Sequence, residues 1–341
     1  MADTSKIEWT DATWNIITGC TLVDEGCRHC YAAHLITSWP AIGHHPSRKG
    51  LARKNAAGIS KFTGEVRFNE EWLDQPLRWK KPRKIFVCAH GDLFHESVPD
   101  EWIDRVFAVM ALAPQHTFQV LTKRPERARA YMAGLGEAGP LDIFVRGNGR
   151  LLKAAEYSTR NTARIEFQPV QRWPLRNVWL GTSVSDQSSA DLRIPHLLAA
   201  PAAVRFISAE PLLGPVDLTA VKHDLHGKIC AMTGYLGTGM YGDYGPRLDW
   251  VICGGESGPH ARPMHPDWAR SLRNQCQAAK VPFLFKQWGA WAPNEKQGSD
   301  YFQKVGKARA GRQLDGREWN EMPGAPAGSL SAGNARIVDG A

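Results

Sequence analysis

The sequence predicts an α/β protein on a parallel sheet, either a (β/α) barrel or a doubly wound sheet. Three observations predict it. Seven short apolar runs recur along the chain, and most are continuous rather than alternating, as strands buried on both faces are. Helical patterns lie between them, which gives the strand–helix alternation of parallel sheets. Polar, charged or glycine-rich residues follow nearly every run, and in a barrel such tips converge on one mouth, where catalytic groups sit.

The predicted strands are Trp14–Thr18, Ile85–Ala89, Thr117–Thr122, Asn177–Gly181, Val204–Ser208, Trp250–Cys253 and Pro282–Lys286. The first leads through a cysteine-rich loop into a helical stretch, Ala32–Thr37. Pro99-Asp100-Glu101 opens the next helix, with Trp102, Val106, Phe107 and Met110 as its apolar stripe. Pro125–Met132 and Ser188–Leu198 read as helices, and Asp267 caps another whose buried face is Trp268, Leu272, Cys276 and Ala279. The strand tips are Thr18-Gly19-Cys20, His90-Gly91-Asp92, Lys123-Arg124-Pro125, Thr182 to Ser185, Ala209-Glu210-Pro211, Gly254-Gly255-Glu256-Ser257 and Gln287-Trp288-Gly289.

With 341 residues, 43% hydrophobic and 22% charged, the chain is long enough for one barrel with insertions or for two domains. The expected organisation is a barrel over 1–292, with insertions at about 134–173 and 220–248, then an extension over 293–341 that is disordered toward its end. No apolar run approaches the roughly 18 residues that span a bilayer, and Met1 to Lys6 lacks a signal-peptide pattern. These features suit a cytoplasmic protein without a membrane partner. No Gly-x-Gly-x-x-Gly follows the first strand, and no P-loop or Gly-x-Ser-x-Gly elbow is present. The net charge of +8 is compatible with an anionic partner or with solubility alone.

Three of the seven cysteines fall within eleven residues, Cys20, Cys27 and Cys30, in the pattern C-x6-C-x2-C. Three thiolates can hold a four-iron cluster and leave one iron open to a substrate such as S-adenosylmethionine. Structural zinc is the competing reading, because His34 would complete a Cys3His set. A loop directly after the first strand lies where a barrel does its chemistry, which favours the cluster. The scattered Cys88, Cys230, Cys253 and Cys276 read as small buried apolar residues.

The loop and strand rhythm resemble the radical S-adenosylmethionine superfamily, and more closely a phage-encoded three-cysteine family related to it. The stretches that carry the resemblance are Thr13-Trp14-Asn15 to Cys20, Cys27-Arg28-His29-Cys30-Tyr31-Ala32, Asp92-Leu93-Phe94, Leu121 to Pro125, Ser208 to Leu212, Gly254 to Gly258 and Asp315 to Trp319. The resemblance implies a partial or modified (β/α) barrel, a [4Fe-4S] cluster on the three cysteines, and S-adenosylmethionine as cofactor. Its reductive cleavage would give a 5′-deoxyadenosyl radical for C–H activation. An electron donor such as flavodoxin or ferredoxin follows from that chemistry. The chain departs from the superfamily in its six-residue first gap, in His29 where an aromatic residue is usual, and in a Gly-Gly-Glu that follows the sixth strand rather than the second.

By tip position, His90 and Asp92 would contact the cofactor's amino group, and Ser183 and Ser185 its ribose or carboxylate. Gly254 and Gly255 belong to the same cofactor set, and Lys123 and Arg124 would meet a carboxylate or a substrate phosphate. Glu210, Glu256 and Lys123 are the catalytic candidates, the two carboxylates for substrate binding or proton transfer; the plainer alternative for the carboxylates is an ion pair with Arg205, Arg262 or Lys286. Trp288 either meets a base edge or packs on the tail. The basic run Arg78, Lys80, Lys81, Arg83 and Lys84, with a second at Arg48, Lys49, Arg53 and Lys54, can track a phosphate backbone. The expected substrate is a nucleic acid or nucleotide, with phage thymidine hypermodification as a candidate pathway. A zinc-stabilised nucleic-acid-binding protein and a photoproduct-lyase-type repair enzyme are the alternatives.

Overall fold

The structure is a computed structural model that describes residues 4–136, 173–237, 243–293 and 301–324. Its centre is a seven-stranded parallel sheet: β1 (Ala12–Trp14), β2 (Lys84–Val87), β3 (Thr117–Thr122), β4 (Val178–Val184), β5 (Val204–Ala209), β6 (Trp250–Gly254) and β7 (Phe283–Gln287). The strands lie side by side in chain order. A doubly wound sheet reverses its order at a switch point; this one never does.

The strands are buried on both faces, and their residues divide with a period of two. Ile85, Val87, Phe118, Val120, Val178, Leu180, Val251, Cys253, Phe283 and Phe285 join the large core. That core takes in the inner faces of α2 (Asp100–Leu112), α3 (Pro125–Gly136), α4 (Gln187–Ala199) and α5 (Pro266–Ala279), chiefly through Ile103, Phe107, Met132, Ile194 and Leu272; α1 (Tyr31–Ser38) buries Ala32, Ala33 and Ile36 outside it. The intervening residues Phe86, Phe206, Trp250, Ile252 and Leu284 form a second cluster around Trp9. Trp9 stacks at 4.7 Å from Phe86 of β2 and 6.2 Å from Trp250 of β6. Those strands are four positions apart, which in a flat sheet is roughly 19 Å. One indole can touch both only because the sheet curls around it. The architecture is therefore an open half-barrel, with Trp9, Phe206 and Trp250 filling the concave side.

Most predicted elements fall within a few residues of their observed bounds. The first strand is the main correction: it is Ala12–Trp14, and Ile17–Thr18 instead pairs antiparallel with Arg67–Phe68. Asp267 does not cap α5. His265 does, accepting from the Asp267 backbone N–H. Asp186 and Ser189 close a reciprocal capping box at α4. Part of the second insertion forms a hairpin, Val221–His223 with Gly227–Ile229. The residues 137–172, 238–242, 294–300 and 325–341 lie outside the described residues, and with them most of the first insertion and the expected disorder of the tail. The segment Trp319–Glu321 lies along β7: Phe285 N–H donates to Trp319 O at 2.9 Å, and the Trp250 indole N–H donates to Glu321 O at 2.8 Å. Trp288 packs on the same tail, donating from Nε1 to Gln313 O at 2.8 Å. Among the described residues no helix is long and apolar enough to cross a membrane.

Gly181 of β4 leaves room for a ring of the concave cluster, since a Cβ there would lie 2.5 Å from Phe206. Overpacking of this kind costs about 1–3 kcal/mol. Gly181→Ala should lower stability in urea by that amount, and adding Phe206→Leu should recover part of the loss.

Candidate functional site

Because the strands are parallel and in order, their carboxyl ends share one edge. The three-cysteine loop crosses that edge. It holds only one short 3-10 turn, Glu25–Cys27, so the strand tips supply its order. Asp24 accepts from Lys123 Nζ at 3.0 Å and from Arg193 Nη2 at 2.5 Å. Burial opposes its ionisation, but Lys123 and Arg193 bring its pKa down to about 2. Arg124 donates to Thr21 Oγ1 at 2.6 Å and lies 3.8 Å from Cys20 Sγ. Arg262 donates to Glu25 O at 2.9 Å, and His29 Nδ1 meets Glu256 Oε2 at 3.1 Å. Gly26 fits closely over this support: a Cβ on it would fall 2.2 Å from Ser185 Oγ and 2.9 Å from Lys123 Nζ.

The cysteines are unbridged and half-buried. Burial, then the charge of Asp92, pushes the Cys20 thiol up to about 12, against the pull of Arg124. Cys30 is also raised by burial, and the backbone N–H groups of Ala33 and Ala32 at the start of α1 oppose that rise. Cys20 feels the charges of Cys30 and Cys27, and Cys30 feels that of Cys27. Among the described residues no group of three or more His, Cys, Asp or Glu side chains is arranged to hold a single metal ion. A tetrahedral zinc site needs its sulfurs roughly 3.8 Å apart. A cubane spreads its thiolates wider, because each binds a different iron.

The other candidate residues separate into groups. Asp92 is buried and engaged, accepting from Thr122 Oγ1 at 2.7 Å and Arg124 Nη1 at 3.1 Å. His90 Nδ1 accepts from Arg48 Nε at 2.9 Å, and burial with that cation lowers its pKa to about 4. A guanidinium thus stands at this tip beside the two residues expected to meet the cofactor's amino group. Ser183 lends its backbone carbonyl to Arg193 at 2.8 Å, whereas buried Ser185 Oγ has no hydrogen-bond partner. Glu256 is paired with Arg262 at 2.7 Å and Glu210 with Lys286 at 2.9 Å; both are the plain mouth ion pairs. Gly255 lets β6 approach β7, where a Cβ would lie 2.0 Å from Trp288 O, and Gly254 abuts the Glu210 carboxyl at 3.2 Å.

The first basic run lies at the other end of the sheet. Arg78, Lys80, Lys81 and Arg83 precede β2, whose first residue is Lys84, so they flank the amino ends of the strands. Arg78 pairs with Asp74 at 3.2 Å, Arg83 covers Trp79 at 4.7 Å, and Lys84 Nζ lies 3.6 Å from Met322 Sδ. The second run is on the cysteine side, where Lys54, Cys30 and His34 line one cavity. Sequence reasoning missed Asp24, Arg193 and the partnership of His29 with Glu256. Their local signal was the pair of carboxylates, Asp24 and Glu25, inside the long first cysteine gap.

Fold and site together define a half-barrel protein with a thiol-bearing loop across its mouth. The chain belongs to the family described as Protein of unknown function (DUF5131), whose model matches residues 4–323. No curated protein and no solved structure matches it.

Asp24→Asn should reduce stability at pH 7 by on the order of 1 kcal/mol, after discounting for solvent screening. The carboxyl's folded pKa is depressed from 3.8 to about 2, so its stabilisation is complete above the first value and lost on acidification through the second. Urea melts across that window should show the two proteins converging.

Proposed function

We propose that the protein is a radical S-adenosylmethionine enzyme that modifies or rearranges a nucleic-acid base. The observation that supports this reading is the loop at the mouth, which carries three unbridged, half-buried thiols, Cys20, Cys27 and Cys30. Cys20, Cys27 and Cys30 would hold a [4Fe-4S] cluster with one iron left for S-adenosylmethionine. Bound there and reduced by a flavodoxin- or ferredoxin-type donor, such a cluster would supply the electron for reductive cleavage of S-adenosylmethionine and so the radical chemistry for C–H activation.

The chain's own residues supply placement and shielding. Arg124, 3.8 Å from Cys20 Sγ, favours the thiolate form there, and the first backbone N–H groups of α1 do so at Cys30. Lys123 and Arg193 hold the loop down through Asp24. The net charge of +8 supports an anionic substrate.

Iron, sulfide and the visible spectrum of anaerobically purified protein test the reading. Wild type should be brown and should cleave S-adenosylmethionine on reduction, while Cys27→Ala should lose both iron and cleavage. A colourless wild type that carries zinc and takes up no cluster on reconstitution would overturn it.

A further inference from the structure

We propose that the cavity beside Cys30 is a phosphate site that seats the nucleotide substrate at the mouth. Its volume is about 140 Å3, and no carboxylate lines it. The polar lining is Lys54, His29, His34, His260, Ser60 and Ser257. At this edge of the sheet most cations are neutralised by carboxylates: Lys123 and Arg193 by Asp24, Arg124 by Asp92 and Glu96, Arg262 by Glu256, and Lys286 by Glu210; Arg48, outside the cavity, is instead taken up by His90 and Ser47. Lys54 has no carboxylate partner among the described residues.

The donors are pre-positioned. Lys54 and Ser60 are register partners in the hairpin formed by Ala52–Lys54 and Ser60–Phe62. Asn55 Oδ1 closes the turn between them by accepting from Ala57 N–H at 3.1 Å and Ile59 N–H at 2.9 Å. Two imidazoles are anchored through Nδ1, His29 on Glu256 at 3.1 Å and His34 on Ser38 Oγ at 3.3 Å. With Ser38 Oγ donating to His34 Nδ1, His34 carries its proton on Nε2 and can donate to an anion there; His29 gives its Nδ1–H to Glu256, so its Nε2 donates only when the ring is doubly protonated. The His260 ring lies 5.8 Å from that of His29. A lysine, three imidazoles and two hydroxyls without a carboxylate suit an oxyanion of more than one negative oxygen. A phosphate held here sits beside a cysteine of the loop, so the attached nucleoside is brought to the chemistry. A base inside a duplex would first have to leave its stack.

The nature of the ligand rests on the proposed function, whereas the site's preference for phosphate does not. The test is fluorescence anisotropy of a labelled single-stranded oligothymidylate on iron-reconstituted full-length protein, with thymidine 5′-monophosphate as competitor. Lys54→Glu should weaken oligonucleotide binding by roughly tenfold and lower the salt slope by about one. His34→Ala should weaken it less. The double variant Lys80→Glu/Lys81→Glu, at the opposite end of the sheet, should bind as wild type does. Displacement by the monophosphate from wild type identifies a free nucleotide as sufficient; oligonucleotide binding that the monophosphate does not displace identifies a strand. Either supports the site. Wild-type levels of binding by Lys54→Glu, or binding of neither probe by wild type, overturns it. Iron content, measured on the same samples, should be unchanged by Lys54→Glu, so a protein without iron that still loses binding in this variant refutes the enzyme and keeps the site.

Discussion

The order of the sheet is the constraint on which everything else rests. Parallel strands that follow one another without reversal put every crossover on one side and every carboxyl end on one edge. The other side cannot be covered by helices, so the sheet curls and fills its own concavity with Trp9, Phe206 and Trp250. This curl draws together strand tips far apart in sequence. Lys123 at the β3 tip and Arg193 of α4, the helix that follows the neighbouring strand, share one carboxylate, although they lie 99 and 169 positions from Asp24.

The mouth is mostly an arrangement of satisfied charges. Four cations, Lys123, Arg124, Arg193 and Arg262, hold one loop, and their carboxylate partners leave little of that charge for anything else. The thiols show the opposite economy. Burial keeps the Cys20 and Cys30 thiols protonated at neutral pH, so a metal centre that binds them must displace protons, and its affinity must rise with pH. The cavity at Lys54 stands outside this balance, because its cation is uncompensated.

Much of the fold was legible in the sequence for a local reason. Continuous apolar runs such as Thr117–Thr122 and Val204–Ser208 can be satisfied only by strands with two buried faces, and the stripe Trp102, Val106, Phe107 and Met110 has one helical reading. The first strand was misread because Ile17 and Thr18 are as β-prone as Trp14, and only the antiparallel partner Arg67–Phe68 separates them. The site was legible in its cysteines and opaque in its supports. Nothing near Asp24 signals Arg193, and nothing near His29 signals Glu256, 227 positions away. The two basic runs have similar composition. Which end of the sheet each occupies depends on whether it precedes a strand or sits in the hairpin beside the cysteine loop, and composition carries no such information.

The antiparallel seat of Trp319–Glu321 along β7 bears on how this protein behaves among its own copies. An open half-barrel, unlike a closed barrel, ends in strands with unpaired backbone groups, and such an edge is a template for intermolecular pairing. The tail occupies the β7 edge with a strand-like partner from the same chain, and Arg317 covers Trp319 at 3.6 Å. The tail thus completes what an eighth strand would otherwise do, making self-association at this edge a matter of displacing a tethered competitor rather than of meeting a bare surface.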